Sequence, residues 1–359
     1  MSVTAAKGFE ASGVAAGIRR EGKDLALVRA TTRATGAAVW TRNRVQAAPI
    51  VVSKAHLELA AEAARLLSLD VEEVLVLSTG VIGELLPLEK IRAALPEAAA
   101  ALSALGGSDA AEAILTTDTR TKQAVSAADG FAVGGMAKGS GMIHPNLATM
   151  LAVVTTDYPL EPGEAIEVLR PSIETSFNSI SVDGECSTND AVVLLSSGAA
   201  ALERTEASDT AFGHALQAVC ADLAAQIVAD GEGATLVAEI SVSGAASGAE
   251  ARAIAQRIAT SPLVKTALFG RDANWGRVLM AAGSAPYNGG YARLDPARVS
   301  LVYNGTAVLS GGAPLAAEPP VDGATCTIEL DLGLGDGRAS YLTSDLSYDY
   351  VRINADYRS

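Results

Sequence analysis

Short apolar runs of strand length alternate along this 359-residue chain with longer segments of helical periodicity. Runs of the first kind include "GFAVGGMAKG" at 130–139 and "DAVVLLSSG" at 190–198, and the clearest segment of the second kind is "TAFGHALQAVCADLAAQIVAD" at 210–230. Short continuous apolar runs are typical of buried strands, and apolar residues three to four positions apart are typical of helices. The alternation predicts an α+β fold in which helices cover large sheets.

The same patterns predict individual elements. We expect a helix at 53–69, capped by Ser53, and a buried strand at 72–83 that ends in a Ser-Thr-Gly turn. Further strands are predicted at 111–122 and at 150–157.

The charge of the chain argues against two classes of partner. The formal net charge is −14 and the isoelectric point is near 4.7, whereas binding to nucleic acid or to an anionic membrane needs a surface rich in Lys and Arg. The N-terminus has no apolar signal core and no apolar run is long enough to span a membrane, so we expect a cytoplasmic protein. Three scattered cysteines and three histidines give no zinc-binding spacing, so we expect neither a metal nor another cofactor.

The stretch "KGSGMIHPNLATMLAVVTTD" at 138–157 places Thr149 directly after Ala148 and just before an apolar strand. A threonine hydroxyl is a weak nucleophile at neutral pH and needs a base beside it. If the chain is cut between Ala148 and Thr149, the new α-amine of Thr149, with an ordinary pKa of ~7.7–8.0, supplies that base on the same residue. The pattern therefore suggests a self-cleaving chain with Thr149 as nucleophile, although most threonines at the start of a strand are plain β-formers.

Three further features have the chemistry that an acyl-transfer site needs. Thr79 and Gly80 offer a hydroxyl and a backbone N–H that can stabilise an oxyanion. Lys138 is a lone cation among small residues and is suited to bind a carboxylate, and Glu232 lies between two glycines at a helix end. Each also has an ordinary interpretation: a strand-to-loop turn, a solvated loop lysine and a loop that stops a helix.

Seven stretches of the chain form a larger pattern: "LSTGVIGELLP", "AILTTDTRTK", "KGSGMIHPNLATML", "SFNSISVDGECSTND", "VADGEGAT", "FGRDANWGR" and "DLSYDYVRINADYRS". In this combination the chain resembles the ornithine acetyltransferases of arginine biosynthesis, also called glutamate N-acetyltransferases. The resemblance extends from "KGFEASGVAAGI" near the start to the last residue. Cys186 and Thr121 depart from the family's pattern and the chain is shorter than usual, but no matched functional position is affected.

The resemblance implies a precursor that cleaves itself at the bond before Thr149. The products would be an α chain, 1–148, and a β chain, 149–359, which assemble as an α2β2 heterotetramer. The implied fold is an αββα sandwich of the N-terminal-nucleophile type with a smaller α/β domain. We place the first domain at 1–245 and the second at 246–359, with the C-terminal tail closing the active site.

The resemblance also implies a reaction. Thr149 would take the acetyl group from N2-acetyl-L-ornithine, release ornithine, and then pass the acetyl group to L-glutamate. Thr79 and Gly80 match the family's oxyanion hole. The positions that match its substrate-contacting residues are Thr116, Lys138, Thr149, Glu232, Asn354 and Ser359. Some members of the family also accept acetyl-CoA as donor, and the residues of this chain do not distinguish the two types.

Two other functions fit the same residues. One is an aminopeptidase or amidohydrolase with an N-terminal nucleophile, which would use the same threonine but pass the acyl group to water. The other is a non-catalytic protein that binds amino acids, in which Thr149 is only a strand residue. A mass spectrum of the intact protein separates the second from any self-cleaving enzyme.

Overall fold

The computed structural model describes residues 2–40, 50–128, 130–144 and 150–356. Its strands are β1 Phe9–Val14, β2 Leu25–Ala30, β3 Thr35–Trp40, β4 Lys122–Ala128, β5 Phe131–Lys138, β6 Leu151–Thr156, β7 Ile180–Ser181, β8 Ala191–Ser196, β9 Val237–Ala245, β10 Pro286–Tyr287, β11 Gly290–Tyr291, β12 Ser300–Tyr303, β13 Thr306–Ser310, β14 Ala313–Pro314, β15 Thr325–Asp331 and β16 Gly337–Ser344. Its α-helices are α1 Ile50–Leu67, α2 Leu88–Ala100, α3 Gly107–Ala113, α4 Glu164–Glu174, α5 Glu206–Ala229, α6 Gly248–Ala259, α7 Pro262–Phe269, α8 Trp275–Gly283 and α9 Tyr348–Asp356.

A five-stranded sheet contains the two strands that flank the expected cut. Its order is β3-β8-β6-β5-β4, with β6 parallel to β8 and the other neighbours antiparallel. Lys138 at the end of β5 pairs with Leu151 at the start of β6, and Val133 pairs with Thr156 at the other end of the same ladder. The end of β5 and the start of β6 therefore lie side by side.

Side chains of this sheet alternate between two covered faces. Val133 of β5, with Ala152 and Val154 of β6, packs into a core shared with α4 and α5. Met136 and Val153 face the opposite way, because strand side chains alternate, and they pack against the β1–β2 hairpin and α3. Helices α2 and α3 cover the hairpin. The layers follow in the order αββα, so the predicted fold class is confirmed.

A seven-stranded sheet forms the other large part of the molecule. Its order is β14-β13-β12-β15-β9-β16-β7, and α6 packs across β9 and β16. The apolar residues of these strands form a second core with α6, α7 and α8. Strand β9 ends at Ala245 and pairs with β15 and β16 from later in the chain. The sheet thus draws strands from both sides of residue 245, and the domain division placed there stays a prediction.

Two of the predicted strands are wrong. Residues 74–80 follow a 3-10 turn at Val71–Glu73 and form no backbone ladder in the described part of the protein, and Leu75 is 57% exposed. An extended run becomes a strand only when a neighbour offers backbone partners. The predicted strand at 111–122 is replaced by the end of α3 and a turn, because Asp118 binds the backbone N–H of Thr116 and competes with a ladder.

The predicted helices form, with shifted ends. The helix expected at 53–69 is α1, but it begins at Ile50, so Ser53 lies inside it and is not a cap. The helix expected at 210–230 is α5, which begins four residues earlier. Its cap is Thr205, whose hydroxyl accepts the N–H of Ser208.

Helix α5 is long and apolar enough to cross a membrane, and it is the one described helix with that length and composition. Half of its apolar segment is buried inside the protein. Leu216, Val219 and Leu223 lie in the core beneath the five-stranded sheet. α5 is therefore a central core helix of this fold.

Candidate active site

The residue that follows the expected nucleophile is held by a buried aspartate. Asp190 Oδ1 accepts the N–H of Met150 at 2.9 Å, and the N–H of Ala191 donates to the carbonyl of Met150 at 3.1 Å. Both contacts fix the start of β6 against β8. The predicted cleavage residues Ala148 and Thr149 lie outside the described residues, so their roles stay predictions.

The chain before the expected cut is anchored from the same segment. Asp183 accepts the N–H groups of Met142 at 2.7 Å and Ile143 at 3.0 Å, and burial raises its pKa. His144 follows, with Nδ1 3.4 Å from Ser181 Oγ. Burial lowers the pKa of His144 to about 4, so its ring is neutral at neutral pH. The stretch 181–190 therefore holds the backbone on both sides of the expected cut.

Thr79 and Gly80 lie just before a turn at 82–83, and the residue ahead of them is attached to that same segment by a side chain. Asn189 donates from Nδ2 to the carbonyl of Ser78, and Ser78 Oγ lies 2.7 Å from His56 Nε2. Gly80 is exposed, and a Cβ placed there would meet no atom within 4 Å. The backbone of Gly80 is therefore open to an approaching ligand, as an oxyanion hole requires.

Lys138 is a buried cation at the end of β5. It is 2% exposed, and it forms no hydrogen bond or ion pair with any residue that the structure describes. Burial lowers the pKa of Lys138, while the nearby carboxylates of Asp118, Asp190 and Glu232 oppose that shift. A buried ammonium without a partner is costly and usually marks a ligand-binding position. Within the described residues, Lys138 is thus available to bind a substrate carboxylate.

A buried ion cluster supports the loop beside Lys138. Lys122 Nζ lies 2.7 Å from Asp118 Oδ1 and 2.5 Å from Asp230 Oδ2, with all three side chains almost fully buried. Asp118 also accepts the N–H of Gly139 at 2.6 Å and that of Thr116 at 3.0 Å. Burial raises the pKa of Asp118, but the positive charges of Lys138 and Lys122 and the N–H of Gly139 outweigh burial and lower it. The cluster fixes Thr116 and the end of β5 in one place.

Glu232 lies beside the C-terminal helix. Asn354 of α9 donates to Glu232 Oε2 at 3.0 Å. The N–H of Glu232 donates to the carbonyl of Ser140 at 2.8 Å, and a Cβ at Gly141 would come within 2.6 Å of its carboxyl carbon. Ser359, the last predicted contact residue, lies outside the described residues.

The sequence-based site residues form one neighbourhood where they are described. The charge of Lys138 interacts with Glu232 and Asp190, and Asn189 connects Asp190 to the segment that holds Thr79 and Gly80.

Four residues of this neighbourhood were not predicted: Asn189, Asp190, Asp118 and Lys122. The "STND" run already stood out as part of the family pattern, and Asp118 and Lys122 are four residues apart, but neither signal gave a role. In the described ranges no group of three or more His, Cys, Asp or Glu could hold a metal, and the absence of a cofactor stays a prediction.

Comparison with known proteins agrees with the motif pattern. The model of the ArgJ family matches residues 10–61 and 55–359. The arginine biosynthesis bifunctional protein ArgJ of Mycolicibacterium paratuberculosis is 43% identical over 399 aligned positions, which cover 99% of this chain and 96% of that protein. The protein of the same name from Symbiobacterium thermophilum is 42% identical over 400 positions, covering 99% and 98%.

One solved structure has a comparable fold over part of the chain. It is the crystal structure of the arginine biosynthesis bifunctional protein ArgJ from Bacillus halodurans, with 36% identity and a TM-score of 0.52. The match covers 97% of that chain but only 56% of this one, so the crystallised chain is little more than half as long. From the family match and these relatives, the chain belongs to the ArgJ family, and the resemblance drawn from its motifs is confirmed.

Proposed function

We propose that this chain is a self-processing acetyltransferase that moves the acetyl group from N2-acetyl-L-ornithine to L-glutamate through an acetyl-ester on Thr149. Membership of the ArgJ family makes the chain an acyltransferase of arginine biosynthesis. The observation that carries the finer proposal is the buried Lys138, which has no hydrogen-bond or ion-pair partner among the described residues and shares its surroundings with Glu232 and the anchored start of β6. That site suits an amino acid, because it offers a cation to an α-carboxylate.

Processing comes first. The Thr149 hydroxyl attacks the carbonyl carbon of Ala148, the peptide C–N bond breaks, and an ester with a free α-amine forms. Water then hydrolyses the ester and separates the two chains. The solved relative from Bacillus halodurans supports this step, since a chain little more than half as long is what a precursor cut near its middle would give.

The separated chains would stay together. The cut falls between β5 and β6, which are bonded neighbours in the five-stranded sheet from Lys138–Leu151 to Val133–Thr156. Each chain therefore completes the core of the other. We extend the proposal to an α2β2 assembly in the cytoplasm.

Transfer of the acetyl group uses the hydroxyl and the α-amine of Thr149. The α-amine of Thr149 takes the hydroxyl proton while the oxygen attacks the acetyl carbonyl, and the Thr79 hydroxyl and Gly80 N–H stabilise the oxyanion. The amide C–N bond breaks, and ornithine leaves with the proton on its amine. Glutamate then binds, its amine attacks the ester, and the Thr149 hydroxyl is restored. Lys138 binds the α-carboxylate of both amino acids, and Glu232 binds the ornithine ammonium or handles the proton of the reacting amine.

The proposal is tested by intact mass and by acetyl exchange on the same samples. We expect two fragments from the wild type and from Thr149→Ser, and one full-length chain without transfer from Thr149→Ala. Thr210→Ala, at an exposed position of α5, is the matched control and should behave as the wild type. A fragmented Thr149→Ala protein would remove the nucleophile assignment. Acetylornithine hydrolysis that does not depend on glutamate would indicate the amidohydrolase instead, and acetyl-CoA in place of acetylornithine tests the second donor.

A further inference from the structure

Two consecutive residues connect the parts of the active site that must meet in the reaction. The Asn189 amide donates to the carbonyl of Ser78, the residue before Thr79. Asp190 accepts the N–H of Met150, the residue after Thr149. We propose that Asn189 and Asp190 are positioning residues that hold the oxyanion-hole segment and the backbone of the nucleophile at one fixed separation. The inference rests on the function proposed above and deepens it.

The Asp190 contact acts on Thr149 through a covalent bond. The nitrogen of Met150, which donates to Asp190 Oδ1, is bonded to the carbonyl carbon of Thr149, and the peptide unit is planar. The covalent bond thus ties Thr149 to a backbone atom that Asp190 holds. The cut lies on the other side of Thr149, so this contact is present before and after processing.

The state of the Asp190 side chain fits a special role. The residue is 1% exposed, and Oδ2 has no hydrogen-bond partner in the part of the chain that the structure describes. Burial raises the pKa of Asp190 to about 8, although the Met150 N–H, Lys138 and the Ser187 hydroxyl oppose the shift. Asp190 Oδ1 can accept the Met150 N–H in either protonation state. Buried polar atoms without a partner are rare in proteins, and each calls for an explanation.

The Asn189 contact matters because it holds the backbone of Ser78, whereas His56 contacts the Ser78 side chain. Residues 74–80 form no backbone ladder in the described ranges, so the Ser78 carbonyl is held by the Asn189 amide. Ser187 donates to Asn189 Oδ1 at 2.9 Å and orients that amide. Strand β8 begins immediately afterwards at Ala191 and runs parallel to β6. The pair is thus fixed to the sheet that carries the nucleophile.

Misplacing reacting groups by about 1 Å can slow an enzyme ~10²-fold. We therefore expect Asp190→Ala to slow both fragment formation and kcat by at least about tenfold, with the KM for glutamate changed less than about twofold. Asn189→Ala should lower kcat similarly. Asp190→Asn keeps a side-chain oxygen that can accept the Met150 N–H, and we expect processing within about threefold of the wild type.

Asp157 provides the matched control. It lies at the other end of β6, is also 1% exposed, and accepts the N–H of Ala132 at 2.7 Å and of Lys7 at 3.2 Å. We expect Asp157→Ala to lower the melting temperature at least as much as Asp190→Ala while it processes at the wild-type rate.

Three results would overturn the inference: normal processing and kcat in Asp190→Ala, equal slowing in Asp157→Ala, or Asp190→Asn as slow as Asp190→Ala. If Asp190→Ala does not fold, Asp190→Asn and Asn189→Ala carry the test. A wild type that remains uncut would instead refute the proposed function itself, so the two failures are distinguishable.

Discussion

Lys122 and Lys138 are both buried lysines beside Asp118, yet within the described residues only Lys122 has ion-pair partners. Removing one member of a buried ion cluster leaves the other charges uncompensated, which costs about 3–5 kcal/mol. Lys138 forms no ion pair with a described residue, but its charge still lowers the pKa of Asp118, so removing it should cost less than removing Lys122. The two lysines should therefore respond unequally to the same substitution.

We expect Lys122→Met to lower the free energy of unfolding by about 3–5 kcal/mol, because Asp118 and Asp230 lose their counter-charge. Lys138→Met should lower stability by less than Lys122→Met, while the KM for glutamate rises by about ten- to hundredfold through loss of a charged hydrogen bond. Urea unfolding and steady-state kinetics measure both. Equal destabilisation by the two variants would show that Lys138 has a structural partner.

The Thr79 hydroxyl can be tested by two substitutions. Thr79→Ala removes one proposed oxyanion donor, and losing such a donor typically costs about 10²–10³ in kcat. Thr79→Ser keeps the hydroxyl and should retain most activity. Single-turnover acetylation of Thr149 measures the step directly. Near-normal turnover in Thr79→Ala would remove this residue from the oxyanion hole.

Gly141 leaves room for Glu232. A Cβ at Gly141 would lie 2.6 Å from the carboxyl carbon of Glu232, so we expect Gly141→Ala to displace Glu232 and weaken ornithine exchange by about tenfold or more. Gly213 in α5 has nothing within 4 Å of its Cβ position, and Gly213→Ala should add about 0.5–1 kcal/mol of stability with full activity. Acetyl-exchange rates and melting curves of Gly141→Ala and Gly213→Ala test both expectations. Wild-type exchange in Gly141→Ala would show that Glu232 is free to move.

The sequence predicted the elements whose own residues determine them. The apolar runs that became β5, β6 and β8 carry their pattern locally, as does α5. The strand expected at 72–83 failed because strand formation needs a partner, and none lies beside it in the described ranges.

In the candidate site, too, the sequence predicted only the residues whose own type and local motif indicate a role. Motifs indicated Lys138, Glu232 and the Thr79–Gly80 turn, because their residue types suggest chemistry. Asn189 and Asp190 act through hydrogen bonds to backbone more than 35 residues away in sequence, at Ser78 and Met150. Only the fold brings such partners together, so no local pattern could assign these roles.

His144 gives the molecule a sensitivity to acid that can be measured. Its pKa is about 4 in the folded chain because burial disfavours the charged ring, against an ordinary value near 6.5. A depressed pKa means that the unfolded chain binds the proton first, so the contribution to stability is present above pH 6.5 and is lost as the pH falls toward 4. We expect the melting temperature to fall over this window, and to fall less in His144→Gln. His214→Gln, at an exposed position of α5, is the matched control for the substitution itself. Parallel pH curves for the wild type and His144→Gln would contradict the burial of a neutral ring at this position.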